Sequence, residues 1–144
     1  MINIKTITQG IETVLNANLT KYIITRNAER NEDPSLASGS TLGWIGIYRG
    51  PVDYEAHSIG STPWMATIEP VVEVQAASFS SPEDAEDRLQ DAEKAVLDVL
   101  TANKTLNNTV DMTNGYSIDY EYNYQGKEVY FHSAIITIKA EARA

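Results

Sequence analysis

Asn114-Gly115-Tyr116-Ser117-Ile118-Asp119-Tyr120-Glu121-Tyr122-Asn123-Tyr124, then Gln125-Gly126-Lys127, then the run from Glu128 to Ala142, is the stretch that decides the fold. Its first part alternates strictly. Tyr116, Ile118, Tyr120, Tyr122 and Tyr124 fall on one face, and Ser117, Asp119, Glu121 and Asn123 on the other. A period of two means a strand with one buried face. Gln125-Gly126-Lys127 reads as a turn, so the two runs form a hairpin. The middle of the second run, Ala134-Ile135-Ile136-Thr137-Ile138, is apolar on both faces, which places it centrally in a sheet.

Upstream lies the strongest helix signal. Ser81 precedes Pro82, an apt N-cap followed by an apt first helical residue. Asp84 occupies the return position of a capping box. Ala85, Leu89, Ala92, Val96 and Val99/Leu100 form one apolar stripe, and the helix should stop near Asn103. A second amphipathic helix begins the chain, with Ile4, Ile7, Ile11, Val14 and Leu15 on one stripe. Gly10 weakens it by about 1 kcal/mol relative to Ala.

Between the helices, Leu19 to Thr25 and Trp44 to Arg49 read as strands, the latter stopped by Gly50-Pro51. A longer strand runs from about Trp64 to Ala77, with Val72, Val74 and Ala76 on one face. Pro70 cannot donate to a ladder, so it marks an edge or a bulge. Residues 27–43 and 50–63 read as two long polar loops. The expected architecture is α+β, with two helices packed on one face of a mainly antiparallel β-sheet in a single domain spanning residues 1–144.

The 144 residues suffice for one domain with a real core, and the apolar fraction of 42% is that of a globular chain. No run of eighteen or more apolar residues is available to span a membrane. The N-terminus lacks the layout of a signal peptide, and a cytoplasmic site of synthesis is expected. Cysteine is absent, which removes disulfides, thiol nucleophiles and thiolate metal sites. The net charge of −9 disfavours sequence-independent binding to phosphate backbones. Seven acids (Glu83, Asp84, Glu86, Asp87, Asp91, Glu93, Asp98) against Arg88 and Lys94 concentrate this charge between residues 83 and 98.

Catalytic chemistry is hard to find in this sequence. The two histidines, His57 in an expected loop and His132 in the last strand, do not suggest a zinc site, which needs about three protein ligands. Gly-x-Ser-x-Gly, Walker-type and dinucleotide glycine motifs are missing. Asp119 and Glu121 share a polar strand face, where carboxylates are ordinarily just solvated. No enzyme activity, cofactor or metal is expected.

Three features remain, and all suit protein contacts. The two long loops are natural contact material. Trp44, Tyr48, Tyr54 and Trp64 cluster around the second of them, where core packing and interface are both open readings. Arg49 beside Tyr48, and Asp53 beside Tyr54, extend that group, since arginine often anchors interfaces. The tyrosine stripe, with Tyr120 and Tyr122 at its middle, either covers the helices or docks another subunit, adding strands across an interface.

A run of these segments resembles the tail terminator (tail completion) proteins of tailed bacteriophages, of the lambda-type minor tail protein kind. It comprises Trp44-Ile45-Gly46-Ile47-Tyr48-Arg49-Gly50, Asp53-Tyr54, Gly60, Trp64, Val72-Glu73-Val74-Gln75-Ala76, the capped acidic helix from Ser81, Val110-Asp111-Met112, and Tyr130-Phe131-His132-Ser133-Ala134 through Arg143. The match lies in order and spacing over about two-thirds of the chain and not in a single motif. The resemblance implies a tail-terminator-like fold and a homo-hexameric ring. Such a ring caps the tail tube, stops its elongation and offers the head-joining surface. It also implies tail tube protein and head–tail connector proteins as partners, DNA passing through the lumen without specific binding, and a place at the head-proximal end of the virion tail. The family supplies no catalytic residues. Another phage structural role, as connector component or tube protein, is the alternative, and a small enzyme or ligand-binding domain is the third.

Overall fold

A computed structural model describes residues 2–26, 42–58, 61–125 and 129–143; at residues 56–58, 61–64, 124 and 125 it describes the backbone alone. The elements are α1 (Ile4–Asn18), β1 (Tyr22–Arg26), β2 (Gly43–Tyr48), β3 (Val52–Ser58), β4 (Ser61–Ile68), β5 (Val71–Ser78), α2 (Pro82–Ala102), β6 (Met112–Gln125) and β7 (Val129–Arg143). Both helices lie on one face of a seven-stranded sheet, in which β1–β2 is parallel and every other pairing is antiparallel.

The sheet has fewer long rows than strands. β4 and β5 pair with β7 in one unbroken register, Ile68 opposite Ala140 and Val71 opposite Thr137. They are one long strand interrupted at Glu69-Pro70. Pro70 there keeps only its acceptor, which takes a bond from the Ile138 amide at 2.8 Å. β2 and β3 form the neighbouring row, kinked at Arg49-Gly50-Pro51. Tyr48 faces Val71 and Val52 faces Ile68, so this side holds one residue more than its partner. That is a β-bulge. Gly50 sits there at φ +61, and a Cβ on it would lie 1.8 Å from the Glu69 carbonyl oxygen. Only glycine fits both demands.

The expected second loop is therefore incorrect. Residues 52–58 and 61–68 form an antiparallel hairpin. Val52, Tyr54 and Ala56 alternate with Asp53, Glu55 and His57, a strand pattern that Gly50-Pro51 and the surrounding polar residues obscure. His57 lies in a strand and not a loop. The first expected loop falls almost wholly outside the described residues.

The core lies between helices and sheet. Ile7, Ile11, Val14 and Leu15 of α1, and Leu89, Ala92, Val96 and Leu100 of α2, pack on Ile45, Ile47, Val72, Val74, Ala134, Ile136 and Ile138. β7 is an interior row, paired with β4 and β5 on one side and β6 on the other, and lies next to the β6 rim and not at the middle of the sheet. Ser81 caps α2 by accepting from the Asp84 amide at 3.1 Å. The Asp84 carboxylate turns away from the capping box. It accepts from Ser78 Oγ at 2.5 Å and pairs with Arg88 at 3.0 Å.

After α2 the chain makes an unusual turn. Leu106, Asn107 and Asn108 all have positive φ, at 49°, 62° and 60°. Asparagine tolerates this region, whereas leucine does not. Complete burial of Leu106 against the core offsets the strain. The turn rests on Gly10, whose absent Cβ would come within 2.4 Å of the Leu106 carbonyl oxygen. The helix-weakening glycine is a contact point between α1 and this turn.

Candidate functional site: two exposed edges of the sheet

The interface candidates separate into buried and exposed groups. Trp44 is 1% exposed and packs with Ala77, Val129 and Phe131 on the sheet face opposite the helices. Its Nε1 donates to Thr25 Oγ1 at 3.0 Å. The indole lies across Gly46, where an added Cβ would meet it at 2.4 Å. Trp44 is thus a core residue with no surface left for a neighbouring subunit, which corrects its reading as an interface residue. Tyr48 is half-buried against the same cluster. Arg49, Asp53 and Tyr54 are exposed along the kinked β2–β3 row. The backbone of Trp64 lies in β4, opposite Ala56, and its side chain is outside the description. A shallow cleft of about 130 Å³ next to this hairpin is lined by Glu55, Met65, Ala66, Thr67 and Glu141.

Tyr120 and Tyr122 lie three rows from this group, on β6. The stripe has two environments. Tyr116 and Ile118 pack on the main core, while Tyr120 and Tyr122 are 47% and 54% exposed. The change runs along the strand, since all four side chains share one face of β6. α2 lies over β5 and β7, which leaves β6 at the rim of the sheet. The covering reading holds for Tyr116 and Ile118, and Tyr120 and Tyr122 are left exposed.

A polar network lines this rim. The Tyr120 hydroxyl donates to Glu93 at 2.6 Å. His132 Nδ1 sits 2.7 Å from Glu86 Oε2. The Tyr122 ring meets the His132 ring edge-on, with centroids 4.4 Å apart. Glu86 and Glu93 are one heptad apart on α2, so both lean toward β6. The bond to Glu93 favours the protonated phenol and pushes the Tyr120 pKa up to about 12, with lesser help from burial. His132, expected as an ordinary strand residue, is 4% exposed and holds Glu86 in place. Sequence spacing alone could not have paired them, because they are 46 positions apart. Among the described residues, no group of three or more His, Asp or Glu side chains is arranged to hold a metal ion.

The opposite rim is β1. Ile23 is 38% exposed and Leu42 51% exposed, and the Leu42 amide donates to the Lys21 carbonyl at 2.8 Å. Arg49 lies just beyond the last β1–β2 pair, Arg26 with Ile47. Sequence reading had not singled out Lys21, Ile23 or Leu42. Their signal, an apolar side chain on the outward face of an edge strand, exists only once the strand order is known.

The fold places the chain in the α+β class, with helices on one side of a mixed, mostly antiparallel sheet. Comparison with known proteins finds no family whose profile matches the chain and no curated protein detectably similar to it.

Proposed function

We propose that this chain is a phage tail terminator, a structural protein that closes into a hexameric ring on the end of a tail tube, halts its elongation and presents the head-joining surface. One observation carries the assembly reading. The sheet exposes large apolar side chains at both lateral rims, Ile23 and Leu42 at one and Tyr120 and Tyr122 at the other. Large apolar side chains left exposed at a sheet edge are candidate contact material. A closed ring needs two different patches on each subunit, repeated around the axis. The specific role rests on the resemblance of the segments quoted above. In this reading the partners are further copies of the chain, the tail tube protein and head–tail connector proteins, at the head-proximal end of the virion tail. The net charge of −9 suits a channel through which DNA slides without sticking, since carboxylates repel phosphate within a screening length of about 10 Å.

Analytical ultracentrifugation tests the ring, and a protein that stays monomeric and fails to bind tail tubes sinks the proposal. The outer edge of β6, which pairs with no strand other than β7 among the described residues, also suits a protein that polymerises by strand addition, as a tube protein would. Electron microscopy of tails assembled without the protein separates the two. Tails of abnormal length indicate a terminator, and missing tubes indicate a tube protein.

A further inference from the structure

β6 begins with a break in its ladder. Thr113 lies opposite Ala140 and Gly115 opposite Lys139, so Asn114 is a surplus residue left out of the register. That is another β-bulge, and the surplus residue of a bulge has no place in the ladder. On its other side β6 pairs with no strand among the described residues. Asn114 is exposed. A Cβ built on Gly115 would meet nothing within 4 Å, so the space beside that backbone is open. Asn114 is also the only asparagine of the chain that is followed by glycine. Glycine has no Cβ to crowd the approach of its own nitrogen to the preceding side chain.

The geometry points to Asn114–Gly115 as a site of spontaneous covalent modification, where the chain loses ammonia and the asparagine becomes aspartate and isoaspartate. Hydroxide takes the Gly115 amide proton, and the freed nitrogen attacks Asn114 Cγ. The new N–C bond closes a succinimide ring. The bond from Cγ to the side-chain nitrogen breaks, and ammonia leaves with a proton from water. A water molecule then adds to one of the two ring carbonyls and breaks its bond to the ring nitrogen. Opening at Cγ gives aspartate. Opening at the main-chain carbonyl gives isoaspartate, whose backbone is longer by one methylene. Nothing is oxidised or reduced. The attack requires rotation about the Asn114 Cα–C bond, out of the extended conformation. A residue inside a sheet would have to break ladder bonds on both sides, and the bulge and the open edge reduce that demand here. Asn107 and Asn108 are also exposed, but the residues that follow them, Asn108 and Thr109, carry a Cβ. Either product adds one negative charge to the net −9, at the foot of the tyrosine stripe. The bulge already absorbs a surplus residue, so the ladder from Tyr116 onward keeps its register in both products.

Ageing the folded full chain in mildly alkaline buffer, with peptide mapping by mass spectrometry, tests the site. A gain of one mass unit should appear on the Asn114 peptide before any other asparagine changes, with aspartate and isoaspartate both present. Isoelectric focusing should show a new species more acidic by one charge. Gly115→Ala should slow the conversion. Gly115 is not among the glycines at positive φ and has room for a methyl group, so this variant should fold, which far-ultraviolet circular dichroism checks. Asn114→Ser is the second variant, and its acidic species should not form over the same period. A sample unfolded in urea gives the rate of the unrestrained chain. Asn114 that stays intact in the folded protein while the unfolded chain converts overturns the inference, because the bulge then protects the site. Earlier conversion of another asparagine overturns it too, as does an equal rate in Gly115→Ala. Aspartate without isoaspartate would mean direct hydrolysis and would also rule out the ring-closing route.

Discussion

Leu89 is fully buried in the layer between α2 and the sheet. Leu89→Ala should cost about 2–5 kcal/mol, the usual range for a core truncation that leaves a cavity. Urea unfolding measures it, and a loss below 1 kcal/mol would mean that the site collapses freely. Tyr120 makes a different prediction, because its bond is at the surface. Its folded pKa lies near 12, above the ordinary tyrosine value of 10.0. The folded state therefore holds the phenolic proton longer than the unfolded chain. Its stabilising effect is complete below about pH 10 and disappears as pH climbs toward 12. Tyr120→Phe should cost only about 0.5–1 kcal/mol at neutral pH, given the side chain's exposure. The difference between parent and variant should shrink across that alkaline window. An unchanged difference would show that Glu93 does not hold the proton in place.

At the scale of elements, the caps and glycines divide the work. Ser81→Ala removes the acceptor for the Asp84 amide and should cost about 1 kcal/mol. Gly10→Ala sets two effects against each other. Helix propensity favours alanine by about 1 kcal/mol. The new Cβ would sit 2.4 Å from a backbone oxygen of the 105–110 turn, which cannot swing aside as a side chain does. Overpacking of that kind costs about 1–3 kcal/mol, so the net change should be destabilising. A rise in melting temperature for Gly10→Ala would show that the turn yields easily.

For the whole molecule, the relevant quantity is association. Arg49 is exposed at the bulge and makes no ion pair among the described residues. Arg49→Ala should leave folding stability within about 0.5 kcal/mol while weakening ring formation. Parallel thermal melts and sedimentation separate the two effects, and equal ring formation at all concentrations would remove Arg49 from the contact.

Period and punctuation made much of this fold legible in the chain. The α2 stripe from Ala85 to Leu100, its cap at Ser81 and its end at Asn103 all appear where local chemistry puts them. The β6–β7 hairpin and the interior place of β7 follow from alternation and from an apolar run with two buried faces. These are short-range signals, set by neighbours three or four positions away. Strand order is not. The β3–β4 hairpin, the burial of Trp44, the His132–Glu86 pair and the exposure of Ile23 beside Lys21 depend on which rows meet. The tyrosine stripe shows the division most directly. Its alternation in the sequence required one covered face. Only the tertiary structure decided that Tyr116 would pack on the core and Tyr122 be left open, because the two lie on one face of one strand and differ in what meets them along its length.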